Sequence, residues 1–410
     1  MHRILLLLPT TTYRAADFLA AAARMKVDVV AASEEPSAMS RQQPDGLFTL
    51  NFRDPEAAAL AALELHRRLP IDAVIPADDN TAVVAAAIGA ALSLKHNSPE
   101  SARAARYKHL LAEMLHRAGV PAPNYAVFNL DGDGARIAQR IHFPCVLKPL
   151  ALSGSRGVIR ANDPPGFIGA WKRVAAILDS KDAKSRSGEC GGRIMVQEFI
   201  AGAECALEGL LSDGALQVLA LFDKPDPLDG PFFEETIYLT PSRLAQSDQD
   251  AIAECVARGA QALGLREGPI HAEVRLNQSG PWLIELAARS IGGLCARTLR
   301  FGTGLSLEDL ILRQALGMPV ADLPREKSAA GVMMIPIPRS GILKEIRGLE
   351  EARQVPGIVE ATITARCGLR LVALPEGSSY LGFLFSKAET PEQAEAALRE
   401  AHARLEIRFE

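Results

Sequence analysis

Long apolar runs are missing from the start of this 410-residue chain, where only residues 4–8 are continuously apolar before Pro9. A secretory signal needs about 7–15 such residues and a membrane span about 20. The segment therefore reads as a buried strand of a cytoplasmic protein, and no membrane partner is expected. Cysteine is sparse. The six present (Cys145, Cys190, Cys205, Cys255, Cys295 and Cys367) are scattered, with no C-x-x-C pair. That spacing suits neither a zinc site nor a disulfide framework, and a cytoplasmic chain would keep the thiols reduced. The eight histidines show no H-E-x-x-H spacing. Positive charge is not in excess: 45 Lys and Arg stand against 49 Asp and Glu, for a net charge of -4. With no basic run and no basic stripe interleaved with aromatics, a nucleic-acid partner is not expected. The dinucleotide fingerprint G-x-G-x-x-G is also absent. The first loop is Pro9-Thr10-Thr11-Thr12-Tyr13, which gives NAD binding no support.

What is present is a chain with a large apolar fraction, 48%, long enough for two to four domains at ~100–200 residues each. Residues 1–104 alternate short apolar runs (4–8, 27–31 and 73–76) with alanine-rich stretches, one opened by Asp54-Pro55, a cap followed by proline at the first helical position. The pattern is βαβαβα, an open doubly wound sheet. An amphipathic helix follows, with Tyr107, Leu110, Leu111, Met114, Leu115 and Ala118 on one stripe, Lys108 flanking it, and Gly119 and Pro121 as its stop. Strands are expected over 144–148, 194–199 and 204–211, and hydrophilic residues 179–192 read as a surface loop. From about residue 329 the pattern becomes α+β. Its last helix opens with Thr390 as cap, Pro391 at the first position and Gln393 at the third, and buries Ala394, Ala397, Leu398, Ala401 and Leu405.

The most informative segment is His271-Ala-Glu-Val-Arg-Leu-Asn-Gln-Ser-Gly-Pro-Trp-Leu-Ile-Glu-Leu-Ala-Ala-Arg289. Turn residues 277–281 between two alternating runs predict a hairpin. Pairing Leu276 with Trp282 sets Glu273 opposite Glu285 without a bulge. One face then carries Ala272, Val274, Leu276, Trp282, Ile284 and Leu286, and the other carries His271, Glu273, Arg275, Glu285 and, past the strand, Arg289. Opposed like charges are destabilising unless a cation lies between them. Mg²⁺ favours one or two carboxylates together with nucleotide phosphates. A solvated polar face is the alternative.

Two further stretches carry phosphate chemistry. Lys148 ends a buried-looking strand and is followed by Leu152-Ser153-Gly154-Ser155-Arg156-Gly157. Small residues let backbone N–H groups approach phosphate oxygens, and a lysine adds a point charge. The G-K-[ST] ending of a Walker A loop is missing, and an ordinary flexible turn is the alternative. In Gln197-Glu198-Phe199-Ile200-Ala201-Gly202-Ala203-Glu204 a glycine turn joins two strands. Its backbone could hold an adenine and its acid a ribose, or it is a plain hairpin.

In this order the pieces resemble the ATP-grasp superfamily over essentially the whole chain. The run Glu285-Leu-Ala-Ala-Arg289 followed by Gly292-Gly293, with the C-terminal α+β module, is similar to the L-amino-acid ligase group. The resemblance implies an α/β ATP-grasp fold in four parts: a doubly wound pre-ATP-grasp domain (1–104), the N-terminal ATP-grasp part with its lid (105–192), the C-terminal part with the metal site (193–325), and the α+β module (326–410). It further implies ATP and Mg²⁺, with Mn²⁺ as the alternative ion, small-molecule carboxylate and amine substrates, and a homodimer. Lys108 and Lys148 would contact the phosphates beneath a loop of Ser153, Gly154, Ser155 and Gly157. Glu198, Phe199 and Ile200 would hold adenine, and Glu204 the ribose. Glu273 and Glu285 would hold the metal. Arg289, with Lys148, would stabilise the transferred phosphoryl group. One departure stands out: many members have Asn two residues after the second acid as a further metal ligand, and this chain has Ala287.

The expected reaction joins a carboxylate to an amine through an acyl phosphate, releasing ADP and phosphate. The alternatives are a bicarbonate-dependent carboxylase or purine-pathway ligase of the same superfamily, and a nucleotide-binding protein that does not turn over. Segments 223–226 and 231–238 are candidate pocket walls, with loop packing as the competing reading. His271 either touches substrate, orients Glu273 or is structural.

Overall fold

Arg3–Leu7 (β1) is flanked in a parallel sheet by Asp28–Ser33 (β2) and Ala73–Pro76 (β4), with Leu47–Thr49 (β3) outside β2. The computed structural model describes residues 2–10, 12–36, 46–320 and 323–410, so Thr11 of the first loop lies outside them. Side chains of β1 alternate between two covered faces. Ile4 and Leu6 pack with Phe18, Ala21 and Ala22, whereas Leu5 and Leu7 pack with Ala62, Leu65, Val84 and Ile88. Burial on both faces is why the run is continuously apolar. The expected alternation holds, with β3 as a short extra strand. Asp54 caps the following helix by accepting from the Ala57 N–H at 2.9 Å.

The second sheet comprises Tyr125–Asn129 (β5), Cys145–Pro149 (β6), Ile159–Ala161 (β7) and Arg193–Glu198 (β8), in the order β5-β8-β6-β7. Residues 179–192, expected as a loop, contain the helix Lys181–Ser187 and a single 3₁₀ turn over Gly188–Cys190. Ser180 caps this helix, Asp182 lies in its first turn and Lys184 and Arg186 in its last, so charge placement and capping offset the low hydrophobicity.

The third and largest sheet is built from Ala203–Ser212 (β9), Ala215–Asp223 (β10), Ile237–Thr240 (β11), Gly268–Asn277 (β12), Gly280–Ala287 (β13) and Ala329–Ile335 (β14). The remaining strands are Gly341–Arg347 (β15), Ile358–Ile363 (β16), Arg370–Leu371 (β17), Gly382–Ala388 (β18) and Glu406–Phe409 (β19). The eight-stranded order is β13-β12-β9-β10-β11-β14-β18-β16, and β17-β15-β19 form a small sheet beside it. One continuous sheet thus runs across residue 326. On β9, Cys205, Leu207 and Leu211 face Ile252 and Val256 of the helix Gln246–Leu263, together with Leu111 and Leu115 of the helix Lys108–Arg117. The opposite face of β9 carries Glu204 and Glu208 and looks into the site. Leu111 and Leu115 are the buried residues of the expected stripe, Leu110 and Met114 are half-buried, and Ala118 is exposed at the C-cap. The terminal helix Pro391–Ala403 has the predicted capping box and buries Ala394, Ala397, Leu398 and Ala401, while Leu405 lies just past its end against the same core. Among the described residues no helix is long and apolar enough to cross a membrane.

Candidate active site

Three neighbouring strands set the floor of the site. Across β9, β12 and β13 the rungs read Glu208, His271, Ala287; then Ala206, Glu273, Glu285; then Glu204, Arg275, Trp282. Glu273 and Glu285 are direct partners, as the turn chemistry predicted, but the register reaches that pairing through a bulge. Leu276 pairs with Pro281 and not Trp282, and the ladder shifts between Glu273 and Val274, leaving Ile284 as the extra residue. Packing accounts for the shift. Leu283, opposite Val274, is fully buried in the core, and Ile284 turns into the cavity. The predicted apolar face is therefore corrected at two positions: Leu283 takes the place assigned to Ile284, and Trp282 shares the rung of Arg275.

The acids are not equally engaged. Buried Lys224 lies 2.9 Å from Glu204, contacts Glu235 directly and stands 3.6 Å from Glu273. Arg275 Nε donates to the second oxygen of Glu204 at 2.9 Å. Burial favours neutral Glu235, yet Lys224 draws it down to about 2. Glu273 is pushed well above the usual carboxylate range by burial, with Lys224 opposing and Glu235, Glu285 and Glu204 reinforcing. Glu285 has Lys108 Nζ at 3.6 Å. Glu204, Glu235 and Glu273 can bring one oxygen each within 4.8 Å of one another, but Lys224 and Arg275 already neutralise the first two. Glu273, which also hydrogen-bonds to Glu235, and Glu285 have their nearest lysine ammonium only at 3.6 Å. Two hard oxygen donors opposed on one rung, with like charge raising the protonation of one of them, are a donor set that fits a divalent cation.

The lysines approach from the second sheet. Lys148 is buried at the end of β6, and that burial lowers its pKa to about 8, with Glu285 opposing the change and Lys108 adding to it. Lys108, expected to flank its helix stripe, is itself buried in the first turn, and its ammonium donates to the Leu152 carbonyl at 2.9 Å. Ser153, Gly154 and Ser155 line the same cavity. Gly154 and Ser155 have φ of 64° and 53°, turning the loop through a region that favours glycine. Gly157 stands behind the loop, where a Cβ would lie 2.7 Å from Pro149, and its N–H donates to Pro375 at 2.8 Å.

At the far end, the Glu198 N–H donates to Asn124 at 2.8 Å and the Phe199 N–H to Pro144 at 3.2 Å. The Ile200 carbonyl accepts from Arg275 at 2.9 Å. Among the described residues the Ile200 N–H donates to nothing, which leaves a backbone donor at the cavity edge. The Phe199 ring is covered by the Arg160 guanidinium at 3.9 Å.

Arg289 grips Asp79 bidentately at 2.8 and 2.9 Å. Burial raises the Asp79 carboxyl, but Arg289 and Arg106 outweigh it and bring it to about 2, whereas burial and Asp79 push Asp78 up to about 6. Asp78 and Asp79, at the N-terminus of the helix Asp79–Ala91, were not singled out in the sequence. Neither was Arg14, which donates to Ser290 at 3.0 Å and Ile291 at 2.6 Å. Their only sequence signal is acid at a helix start and a basic residue in a βα loop. Of the two candidate wall segments, the second lines the cavity through Phe233, Glu235 and Tyr238, whereas Lys224 of the first is buried against Glu204 and Glu235. Apart from Gly157, every predicted site residue lines this one cavity of about 560 Å³.

The ATP-grasp domain model matches residues 141–298, and the L-amino acid ligase C-terminal domain 2 model matches residues 333–410. The chain is 31% identical to dapdiamide A synthase of Enterobacter agglomerans over 54% of this chain and 51% of that one. It is 28% identical to alanine–anticapsin ligase of Bacillus subtilis over 57% and 51%. It thus spans about half the length of these two curated relatives. The solved L-amino acid ligase of Bacillus licheniformis superimposes with a TM-score of 0.81 at 25% identity, over 100% of this chain and 99% of that one. The two domain matches, in the predicted order and on the predicted fold, show that the chain carries an ATP-grasp domain followed by an L-amino acid ligase C-terminal domain.

Proposed function

We propose that this protein is an ADP-forming ligase that activates the carboxylate of an amino acid as an acyl phosphate and joins it to an amine. The carrying observation is the convergence of Lys108, Lys148, the 153–155 loop, Glu273, Glu285 and Arg289 on one cavity large enough for a nucleotide and a small substrate. In this reading a carboxylate oxygen attacks the γ-phosphorus of ATP, and ADP leaves. The amine then attacks the acyl carbon, phosphate leaves, and the amine loses a proton to complete the amide. Phosphoryl transfer of this kind needs positioning and charge neutralisation more than covalent help. Lys148 and Lys108 supply buried positive charge to the phosphate oxygens, and the Ile200 N–H supplies a hydrogen bond for the adenine edge. Mg²⁺ held by Glu273 and Glu285 would neutralise charge on the β- and γ-phosphates. Arg289, anchored by Asp79, holds a fixed guanidinium toward the transferred group. The loop 153–157, strapped to Pro375, keeps water from the acyl phosphate. The four-part division at residues 104, 192 and 325 belongs to the same reading.

Pairs of amino acids incubated with the protein and Mg²⁺-ATP test it. ADP and phosphate released only with particular pairs, with a matching dipeptide mass, is the expected result. AMP and pyrophosphate would mean adenylation and overturn it. ADP release that requires bicarbonate would move the protein to the carboxylating branch of the fold.

A further inference from the structure

Ala287 removes the side chain that the family resemblance expects as a third metal donor, and the residue directly across the ladder is His271. We propose that His271 Nε2 is a protein ligand of the cation held between Glu273 and Glu285, taking the place left by Ala287. The inference rests on the metal role proposed above for those two acids.

Three observations support it. Glu208, fully buried on the same rung, lies 3.1 Å from His271 Nδ1 and also accepts the Ile291 N–H through both oxygens, at 3.1 and 3.0 Å. A carboxylate in that position accepts the Nδ1 proton and leaves a lone pair on Nε2. Nε2 makes no hydrogen bond among the described residues, although the imidazole is only 7% exposed and lines the cavity. It faces Glu273 Oε1 at 3.9 Å. Lys224 reaches the same Glu273 oxygen from one side at 3.6 Å, and a cation between that oxygen and Nε2 would take up the imidazole lone pair. Two donors bound about 2.1 Å from one ion stand roughly 3 to 4 Å apart, depending on the angle they subtend, so the observed separation admits a shared cation. Finally, the carboxylate–imidazole–cation series is the arrangement by which outer-shell acids orient ligand histidines. An alanine side chain on the rung leaves the imidazole room to turn toward the ion.

A nitrogen ligand favours Mn²⁺ over Mg²⁺ relative to an all-oxygen site, which makes Mn²⁺ a usable probe. The full-length protein, grown with ¹⁵N-histidine and loaded with Mn²⁺ and ADP, is examined by pulsed electron paramagnetic resonance, and Mn²⁺ affinity is measured in parallel. A directly bonded ¹⁵N coupling in the wild type, absent in His271→Gln, is expected. So are a roughly 10-fold weaker Mn²⁺ affinity in His271→Gln and a similar loss in Glu208→Gln. The wild-type spectrum decides the matter even if a variant folds poorly. Tight Mn²⁺ binding that Glu285→Gln weakens, with no histidine coupling, overturns the role of His271 and leaves the two-carboxylate site standing. Mn²⁺ affinity unchanged by Glu285→Gln overturns the metal role of the acids themselves, and this inference with it.

Discussion

Lys148 shows how a single buried charge can cost stability. Its pKa falls from 10.5 to about 8 because burial outweighs the attraction of Glu285. Each tenfold loss of proton affinity is worth about 1.4 kcal/mol, so the folded, ligand-free protein carries a penalty on the order of 3 kcal/mol at neutral pH. The sign follows from proton binding. Between about pH 8 and 10.5 the unfolded lysine holds a proton that the folded one has released, so stability falls as pH drops through that window and is flat below it. Lys148→Met is therefore expected to unfold at higher urea than the wild type at pH 7, by ~2–3 kcal/mol, while losing ATP affinity. Equal or lower stability in that variant would show that the charge is not strained. On the proposed reading, phosphates beside Lys148 would favour its ammonium, so wild-type ATP affinity should weaken as pH rises above about 8 and that of Lys148→Met should not. Glu285→Gln should lower ATP turnover ~10²-fold or more, by analogy with loss of one group facing a developing charge. At this scale the sequence was legible where residue type and local pattern coincide: Lys148 at a strand end, and Glu273 and Glu285 flanking a turn. Asp79, Arg14 and Glu208 escaped because their partners lie far along the chain, as with Arg289 gripping Asp79.

The hairpin β12–β13 and the turn before β9 decide whether those side chains meet. Turn residues and alternation predicted the hairpin and the pairing of Glu273 with Glu285. The bulge at Ile284 was not legible, because Leu283 and Ile284 are equally apolar and only the core beneath decides which is buried. Residues 179–192 failed for a related reason: a short capped helix with charged ends has too little apolar pattern to register. Gly202 offers a test of element geometry. It has φ of 133°, and a Cβ there would lie 2.2 Å from the Leu276 carbonyl oxygen. Gly202→Ala must push β9 away from β12, and should destabilise the protein by ~2–4 kcal/mol, in the range of other strained or overpacked sites. Gly268→Ala is the control. Its φ is 81° with open space around the added carbon, so only the cost of the left-handed conformation, ~1–2 kcal/mol, applies. Urea melts giving both variants the same midpoint would contradict the close approach of Gly202 to β12.

Across the whole molecule, ion pairs join the N-terminal sheet and its helices to later elements, Arg24–Asp309 and Arg297–Asp17 among them, and two others are the most buried. Arg14 reaches Glu308 at 2.6 Å with both side chains 3% exposed, and Arg289 reaches Asp79. Removing one member of a buried pair typically costs about 3–5 kcal/mol, whereas replacing both with apolar groups of similar size is close to neutral. Glu308→Ala should lower the thermal midpoint sharply, and the double variant Arg14→Met, Glu308→Leu should recover most of the loss. A double variant as unstable as the single one would show that Arg14 acts through Ser290 and Ile291 and not through the ion pair. The alternating N-terminal sheet was legible from its apolar runs. The eight-stranded sheet was not, since β11 pairs with β14 across about ninety residues of chain and no local pattern encodes that contact. The assembled cavity is what the central claim concerns, and oxygen transfer tests it most directly. With an amino acid labelled by ¹⁸O in its carboxylate, an acyl-phosphate route predicts one ¹⁸O in the released inorganic phosphate for each amide formed, read by mass spectrometry or ³¹P resonance. Label appearing in AMP, or amide formed with no label in phosphate, would contradict the account.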